Sequence, residues 1–457
     1  MLNEFFLQRM KSILPENEYE KFSEALSGNP VRALRVNTLK TSVSDFLENE
    51  SLAKAPLSYC KEGFIFDADG IGQHPAHHAG LIYVQDPGAM SALSALDIKP
   101  GWAVLDACAS PGGKSTQAAA KIGDSGFILS NEFVPKRAKT VVSNFERLGV
   151  RCGIVTSLDT KELPKMFRAV FDLVIADVPC SGEGMFRKSD EALSEWSEEN
   201  VIACQRRQLE IMKNLPSLVK PGGYLLYSTC TYSLLENEMV VDAFLKENTD
   251  FSLIRVPPEL EAATKDGINF EGAYTKNLNL ARRFYPHVSE GEGQFLALMK
   301  RDADAEDKPQ FFYKDAAVRL SKKEEEAVFK FFRENLKEAP NGRLRKVSEN
   351  IVIISHGYPI PERSVFSAGV LLGAVEKDRL VPSHQFFSAY GDLFLRQENL
   401  TPCDERLKKY LSGEEIEQRS FSDSGWCSVL YSGKTLGGGK ASLGKIKNHY
   451  PKGLRNK

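Results

Sequence analysis

The chain has almost no net charge, few cysteines and no long apolar run. Its 59 Lys and Arg residues nearly balance 61 Asp and Glu residues, for a net charge of −2, which excludes a protein that binds nucleic acid through a globally basic surface. No apolar segment approaches the ~20 residues needed to cross a bilayer, and the N-terminus lacks the apolar core and cleavage site of a signal peptide. We therefore expect a cytoplasmic protein with no membrane partner.

The sequence also lacks the cysteine spacings of metal or redox sites. Its eight cysteines are scattered, with no CxxC pair, which disfavours a zinc ribbon, thioredoxin chemistry or a disulfide framework. Three clustered histidines, His74, His77 and His78, have no acidic or Cys partner at ligand spacing. We expect no metal and interpret the histidine segment as a loop that packs beside the next domain.

With 457 residues the chain is long enough for two to four domains. From about residue 91 strand-like and helix-like segments alternate, which predicts an α/β fold with a parallel sheet. Pattern changes divide the chain into an N-terminal segment, an alternating domain, a polar linker, a helix-and-strand domain and a β-rich tail, at 1–90, 91–300, 301–310, 311–380 and 381–457.

Three strand-like runs of the alternating domain end at chemically informative residues. The run WAVLDA precedes a glycine-rich loop, FDLVIAD ends at Asp177 just before Cys180, and GGYLLYST ends just before Cys230. In an open parallel sheet the carboxyl ends of the strands form the ligand-binding edge. We therefore expect both thiols and the carboxylate in one site beside the glycine-rich loop.

The glycine-rich loop, 106–114, joins a strand to a helix. Its glycines allow a ligand close to the backbone, and the following helix offers unpaired N–H groups. Glu132 follows the next strand, where a carboxylate can bind ribose hydroxyls, and Asp159 follows the third strand, where it could contact a base. The sequence therefore predicts a nucleoside pocket.

The same loop argues against two other nucleotide sites. GGKST resembles a phosphate-binding Walker loop, but Cys108 stands where that motif requires glycine. The dinucleotide fingerprint GxGxxG is absent. An adenosine ligand without a pyrophosphate fits best, and S-adenosylmethionine is the chief such cofactor; a P-loop ATPase remains as an alternative.

Positive charge is concentrated in two places. The chain from Tyr431 to its end contains seven Lys or Arg residues and no acid, and ALRVNTLK contains Arg35 and Lys40. Either patch fits local contact with phosphates, and either could also be ordinary solvated surface. Trp426 and Tyr431 could stack on bases or belong to the core of a small β-domain.

Three motifs together resemble one enzyme family. DACASPGGK, DVPCSGEGMFRK and YSTCTYSLLENE are similar to motifs of the RNA cytosine-C5 methyltransferases of the NOL1/NOP2/Sun family. RALRVNTLK looks like that family's RNA-recognition segment, and LGGGKASLGKIKNHYPKGLR like the PUA-like end of its methyltransferase F group. Residues 310–380 match least.

The resemblance implies a fold and a reaction. The expected fold is a Rossmann-like methyltransferase sheet with an N-terminal α+β RNA-recognition segment and C-terminal α+β and PUA-like domains. The expected reaction is methylation of cytosine carbon 5 in small-subunit (16S) ribosomal RNA by S-adenosylmethionine. The implied partner is ribosomal RNA or the small subunit, bound by a monomer. A catalytically silent RNA-binding assembly factor is the alternative.

The resemblance also implies catalytic roles. Cys230 would add to carbon 6 and make carbon 5 nucleophilic. Asp177, with its pKa raised by burial, would act at N3 and the exocyclic amine. Cys180 would help to release Cys230. The residue types alone do not separate the roles of the two thiols.

Two sets of binding residues follow from the resemblance. One difference from the family is Ser110, where alanine is common, and it should not alter backbone contacts. Cofactor binding falls on Cys108, Ala109, Ser110, Pro111, Gly112, Gly113, Lys114, Glu132, Asp159 and Asp177. RNA binding falls on Arg35, Asn37, Arg187, Lys188, Lys440 and Lys447. Arg187 and Lys188 could instead lie in an exposed loop before a helix.

Overall fold

The computed structural model describes residues 2–456. Within that range no helix is long and apolar enough to cross a membrane. The N-terminal part forms an antiparallel sheet of order β2-β3-β1-β4, flanked by helices. Its elements are α1 Glu4–Ile13, α2 Glu16–Leu26, β1 Ala33–Val36, α3 Val43–Asn49, β2 Ala53–Leu57, β3 Cys60–Phe66, α4 Pro75–His78, β4 Ile82–Val84 and α5 Pro87–Ser91.

The central part is built on the largest sheet of the molecule. Its strands follow the order β12-β13-β14-β10-β9-β5-β6-β7-β18, with β11 paired to β14. Its elements are β5 Ala103–Asp106, α6 Gly113–Ile122, β6 Phe127–Asn131, α7 Pro135–Leu148, β7 Gly153–Thr156, β8 Phe167–Arg168, β9 Phe171–Asp177, α8 Asp190–Glu195, α9 Glu198–Lys213, β10 Val219–Thr229, α10 Glu238–Glu247, β11 Phe251–Leu253, α11 Pro258–Ala262, β12 Lys265–Asp266, β13 Arg282–Phe284 and β14 Gln294–Arg301.

The predicted parallel sheet is present at the centre of this order. Strands β7, β6, β5, β9 and β10 are parallel neighbours, and β5, β6 and β7 are buried along their whole length. Burial on both faces explains why these strands are almost continuously apolar in the sequence. The final strand, β14, is antiparallel to β10, which its sequence pattern did not indicate.

One sequence-predicted helix is shorter in the structure. The sequence between the second and third motifs predicts one long helix that reaches Val219, but α9 ends at Lys213 and Val219 begins β10. Pro216 starts a 3-10 turn between them. Proline has no N–H to donate within a helix, so it favours an early end.

The C-terminal part contains two further sheets, of order β16-β17-β19-β20 and β21-β23-β24-β25-β22. Its elements are β15 Gln310–Phe311, α12 Lys322–Asn335, β16 Arg343–Val347, β17 Asn350–Ile354, β18 Val365–Ala368, β19 Val370–Glu376, β20 Arg379–Pro382, α13 His384–Tyr390, β21 Gln397–Leu400, α14 Glu405–Ser412, β22 Ile416–Glu417, β23 Gly425–Tyr431, β24 Lys434–Ser442 and β25 Lys445–Asn448.

The middle of this C-terminal part is joined to the central sheet. Strand β18 pairs antiparallel with β7 and covers its otherwise open edge. Val352 and Ile354 of β17 belong to the same buried cluster as Phe127 and Phe171 of the central strands. The polar linker therefore does not separate two independent cores.

This shared core predicts that the central and middle parts unfold together. Ile354 is 1% exposed, and its replacement by alanine leaves a cavity that costs about 2–5 kcal/mol of unfolding free energy. We expect Ile354→Ala to unfold in a single transition with a lower denaturant midpoint than wild type. Tryptophan fluorescence and circular dichroism should both report that same transition. Val318→Ala, at a side chain that is 55% exposed, should change the free energy by less than ~0.5 kcal/mol. Separate transitions would contradict a shared core.

Candidate functional site

Neighbouring strands bring the predicted catalytic residues together. In the parallel register of β9 and β10, Asp177 lies opposite Ser228, and the Ser228 hydroxyl donates a 2.7 Å hydrogen bond to Asp177 Oδ1. Strands β9 and β10 both lead into loops at this edge, and the Sγ atoms of Cys180 and Cys230 in these loops lie 3.2 Å apart. The structure thus places two thiols and a carboxylate at one edge of the sheet.

The two thiols have different environments. The backbone N–H of Cys230 donates to Cys180 Sγ at 3.3 Å. The hydrogen bond with Cys230, together with burial, raises the pKa of the Cys180 thiol well above its usual range. Cys230 lines the cavity at this edge, whereas Cys180 does not. Both side chains are half-buried, but only the Cys230 side of the pair borders the cavity.

A buried carboxylate that the sequence analysis did not single out connects the two cysteine loops. Glu236 is 0% exposed and accepts hydrogen bonds from the Ser181 N–H at 2.9 Å and the Ser181 hydroxyl at 2.5 Å. The Thr231 hydroxyl and Gln208 Nε2 donate to the same carboxylate at 3.3 and 3.0 Å. Ser181 and Thr231 each directly follow one of the cysteines. The ENE sequence after the second cysteine was the only sign of this residue.

Asp177 has a different environment from the one expected. Its Oδ2 lies 2.8 Å from the Nζ atom of Lys114, and its side chain is 31% exposed. The carboxylate thus faces an ammonium group and the cavity rather than an apolar wall. Lys114 itself is buried, so the ion pair fixes both side chains at the mouth of the glycine-rich loop.

The glycine-rich loop has the predicted strand-to-helix geometry. Gly112 precedes α6 with a φ of 109°, a conformation that favours glycine. The Glu132 carboxylate accepts a 3.0 Å hydrogen bond from the Val134 N–H and a 3.4 Å bond from the Ser110 N–H. Asp159 pairs with Lys161 near the surface, where that ion pair and the N–H of the same lysine lower its pKa.

A cavity of about 280 Å³ opens between this loop and the cysteines. Seven of the predicted site residues line it: Ala109, Ser110, Pro111, Gly113, Lys114, Asp177 and Cys230. Cys108, Gly112, Glu132 and Asp159 lie outside its lining. Three other lining residues, Asp106, Val178 and Met185, lie within the motifs but were not assigned a role from the sequence. The remaining lining residues come from distant elements, which is why the sequence did not indicate them: Tyr83, Val84, Gln85, Asp86, Ala89, Gly293 and Gln294.

Asp106 has an unpaired oxygen at this cavity. Its Oδ2 accepts a 2.6 Å hydrogen bond from the Ser115 hydroxyl, but its buried Oδ1 has no hydrogen-bond partner. Burial is the main cause that raises the pKa of this carboxyl to about 7, and the charge of Asp177 adds to the effect. An unsatisfied buried acceptor is costly, which is consistent with a site that a polar ligand completes.

The structure does not support surface roles for two predicted RNA-binding residues. Arg35 is 1% exposed and donates to Gln85 Oε1 and Thr116 Oγ1 at 3.0 and 2.9 Å. Asn37, also 1% exposed, donates to the carbonyls of Gly80 and Leu148. Both side chains hold the N-terminal sheet against the central domain, so the basic appearance of this segment was misleading.

The other four predicted RNA-binding residues differ in accessibility. The Arg187 side chain is 7% exposed and pairs with Glu292 at 2.7 Å, so it acts as an internal link. Lys188 is partly exposed and pairs with Asp86 of the cavity lining. Lys440 and Lys447 are exposed on the C-terminal sheet, and Lys440 lies over the Trp426 ring. Of the six predicted RNA-binding residues, only Lys440 and Lys447 have side chains that are exposed and form no ion pair within residues 2–456.

The position of Asp106 predicts a pH dependence of stability. A folded-state pKa of about 7, above the unfolded value, means that the buried proton stabilises the fold at acidic pH and that this contribution is lost as pH rises towards 7. Asp106→Asn should therefore gain stability relative to wild type by on the order of 1 kcal/mol per pH unit between about pH 4 and 7, and level off above. Urea denaturation across this range measures the difference, and a constant difference would contradict it.

Comparisons with known proteins agree with this geometry. Residues 93–300 match the family model of the 16S rRNA methyltransferase RsmB/F, residues 2–87 match the N-terminal domain of 16S rRNA methyltransferase RsmF, and residues 397–456 match the methyltransferase RsmF PUA domain. Among solved structures, a methyltransferase homologue from Pyrococcus horikoshii is 29% identical, with a TM-score of 0.54 over 62% of this chain and 90% of its own. NSun6 from P. horikoshii, 20% identical with a TM-score of 0.55 over 65% of this chain and 98% of its own, shares the fold.

Full-length relatives give the same result. The ribosomal RNA small subunit methyltransferase F of Vibrio parahaemolyticus is 30% identical over 98% of this chain and 96% of its own length. That of Vibrio vulnificus is 31% identical over 99% and 97%. The chain therefore belongs to the family of ribosomal RNA small subunit methyltransferases F.

Proposed function

We propose that the protein transfers a methyl group from S-adenosylmethionine to carbon 5 of a cytosine in 16S ribosomal RNA. The observation that carries this proposal is the contact of two thiols, Cys180 and Cys230, 3.2 Å apart, beside the Asp177–Lys114 pair. Methylation of a ring carbon requires a nucleophile that activates the ring and a second group that assists its release. Transfer to an oxygen or nitrogen atom would need neither thiol.

The residues around the glycine-rich loop fit the cofactor. The unpaired Asp106 Oδ1 and the Glu132 carboxylate, both at carboxyl ends of strands, are acceptors suited to the amino and hydroxyl groups of an adenosyl ligand. Cys108 through Lys114 and Asp159 complete the proposed binding set. The cofactor would supply an electrophilic methyl group on a sulfonium.

The proposed covalent step begins at the cytosine ring. The Cys230 thiolate forms a bond to carbon 6, which breaks the aromatic ring and makes carbon 5 nucleophilic. Asp177 delivers to N3 the proton that the Cys230 thiol gives up, then accepts hydrogen bonds from the exocyclic amine and the protonated N3, and so stabilises the adduct. Carbon 5 takes the methyl group, and the sulfonium donor would leave as a neutral thioether. Carbon 5 then loses its proton to water, the electron pair of that bond forms the carbon 5–carbon 6 double bond, and the sulfur leaves carbon 6 as a thiolate. The N3 proton returns to that sulfur through Asp177.

The environments of the thiols support this division of roles. Cys230 lines the cavity and is therefore the sulfur that a base can reach. The raised pKa of Cys180 keeps that thiol protonated, so it can donate a hydrogen bond to the Cys230 sulfur as its bond to carbon 6 breaks. The target base must leave any helical stack to enter the cavity, and the exposed Lys440 and Lys447 are proposed contacts for the RNA backbone.

Adduct trapping tests this mechanism. With S-adenosylmethionine and small-subunit RNA, Cys230→Ser should give neither product nor adduct, whereas Cys180→Ser should accumulate a protein–RNA adduct visible on denaturing gels. Trapping in Cys230→Ser instead would reverse the two roles. If wild type forms no adduct with 5-fluorocytosine RNA and no product, the silent RNA-binding alternative is favoured. Titration calorimetry with ATP and with S-adenosylmethionine tests the ATPase alternative.

Glu236 provides a second test, because it should position the thiols without touching substrate. In Glu236→Gln an amide N–H₂ replaces one acceptor, and at least one of the donors around it loses its partner. We expect kcat to fall about 10–100-fold, the equivalent of roughly 1.5–3 kcal/mol. The KM for RNA and the affinity for S-adenosylmethionine should stay within about twofold.

Ser181→Ala is a milder change to the same hydrogen-bond network and serves as the control for Glu236→Gln. Ser181→Ala removes one hydrogen bond to the carboxylate and keeps the backbone bond, so its effect on kcat should be smaller. The rate of adduct formation at saturating RNA should fall in the same order as kcat. If adduct formation in Glu236→Gln and Ser181→Ala falls only in proportion to the loss of thermal stability, the role of Glu236 is merely structural.

A further inference from the structure

A second cavity lies away from the catalytic one, where three parts of the chain meet. It has a volume of about 360 Å³ and shares no lining residue with the catalytic cavity. His77 and His78 come from the N-terminal part, Arg147 from α7 of the central domain, and Tyr450, Arg455 and Asn456 from the C-terminal end. We call it the junction cavity.

The junction cavity is lined by cations without counter-ions. No Asp or Glu is among its lining residues. The Arg147 guanidinium donates to the carbonyls of His77 and Ile82 and to the Asn144 amide oxygen, and Arg455 donates to the Tyr450 carbonyl. Because no carboxylate of the cavity wall faces either guanidinium, an anionic group in this cavity would gain an attraction that no lining residue competes for.

The histidines add a nitrogen that has no partner. The two ring nitrogens of His78 contact Tyr450 Oη and Asn456 Oδ1, both at 2.8 Å. The Nδ1 atom of His77 is buried and has no hydrogen-bond partner. Imidazole can donate from either nitrogen, and both histidine rings form part of the cavity wall beside the two arginines.

The charge of the C-terminal segment that contributes Tyr450, Arg455 and Asn456 to the cavity favours an RNA phosphate over a free anion. The chain from Tyr431 onwards carries seven Lys or Arg residues and no acid, and Lys440 and Lys447 of this stretch are exposed. At ~30 Å³ per water molecule the cavity has room for about twelve waters, which is ample for a phosphate with its sugar. We propose that the junction cavity binds a phosphodiester of the RNA strand that the enzyme methylates, an inference that rests on the proposed function.

The salt dependence of RNA binding tests this assignment. Each phosphate neutralised on a single strand contributes about 0.7 to the slope of log K against log salt concentration. In the full-length protein, Arg455→Gln should lower the slope by about that amount and weaken RNA binding severalfold. The affinity for S-adenosylmethionine and kcat at saturating RNA should not change. Arg455→Lys should retain the slope.

Two further variants keep the test decisive. Arg333→Gln changes an exposed arginine of α12 outside both cavities and should leave the slope unchanged. Gln73→Glu places a negative charge at an exposed lining residue, where folding is not at risk, and should weaken RNA binding in the same way as Arg455→Gln.

The outcomes separate the possible failures. An unchanged slope in Arg455→Gln or unchanged RNA affinity in Gln73→Glu would overturn the assignment, as would an equal loss in Arg333→Gln. Stabilisation by inorganic phosphate that depends on Arg455, without any change in RNA binding, would identify a free-anion site and also overturn it. Adduct formation by the wild type is measured in parallel, so a failure of the proposed methylation is recognised independently.

Discussion

The parallel register of β9 and β10 is the constraint on which the site depends. It sets Asp177 opposite Ser228, so both strands end at the same level of the sheet. The loops that follow them therefore bring Cys180 and Cys230 together within a few residues. Strand pairing alone would leave two loops free to separate. The Glu236 carboxylate prevents this, because it binds the residue that follows Cys180 and the residue that follows Cys230.

The N-terminal part supports these loops as well as covering them. Phe6 of α1 and Phe22 of α2 pack with Tyr232, next to the second cysteine loop. Arg9 forms an ion pair with the buried Glu183, which also accepts a hydrogen bond from the Tyr232 N–H. Removal of the N-terminal helices would therefore expose apolar side chains of the two cysteine loops. The N-terminal part thus supports the site through these packing contacts and also contributes residues to the cavity lining.

Most strands of the central sheet could be predicted from the sequence, because strands buried on both faces are continuously apolar and end at recognisable motifs. The motifs also identified Asp177, Cys180, Cys230 and the glycine-rich loop. Long-range pairings were not readable: nothing local in VFSA, the sequence of β18, shows that it adds to β7. The burial of Arg35 was equally hidden, because its acceptors, Gln85 and Thr116, lie 50 and 81 residues away. Charge predicts solvent exposure only where no distant partner compensates it.

The contact between the two sulfur atoms has one more consequence. Free thiols at 3.2 Å need little movement to reach the 2.05 Å length of a disulfide bond. An oxidant that removes two electrons and two protons from this pair would join the two sulfurs and, on the proposed mechanism, occupy the nucleophile, and a dithiol reductant would restore both thiols. On the proposed mechanism, the contact that would let one sulfur help the other to leave would also make turnover depend on a reducing environment.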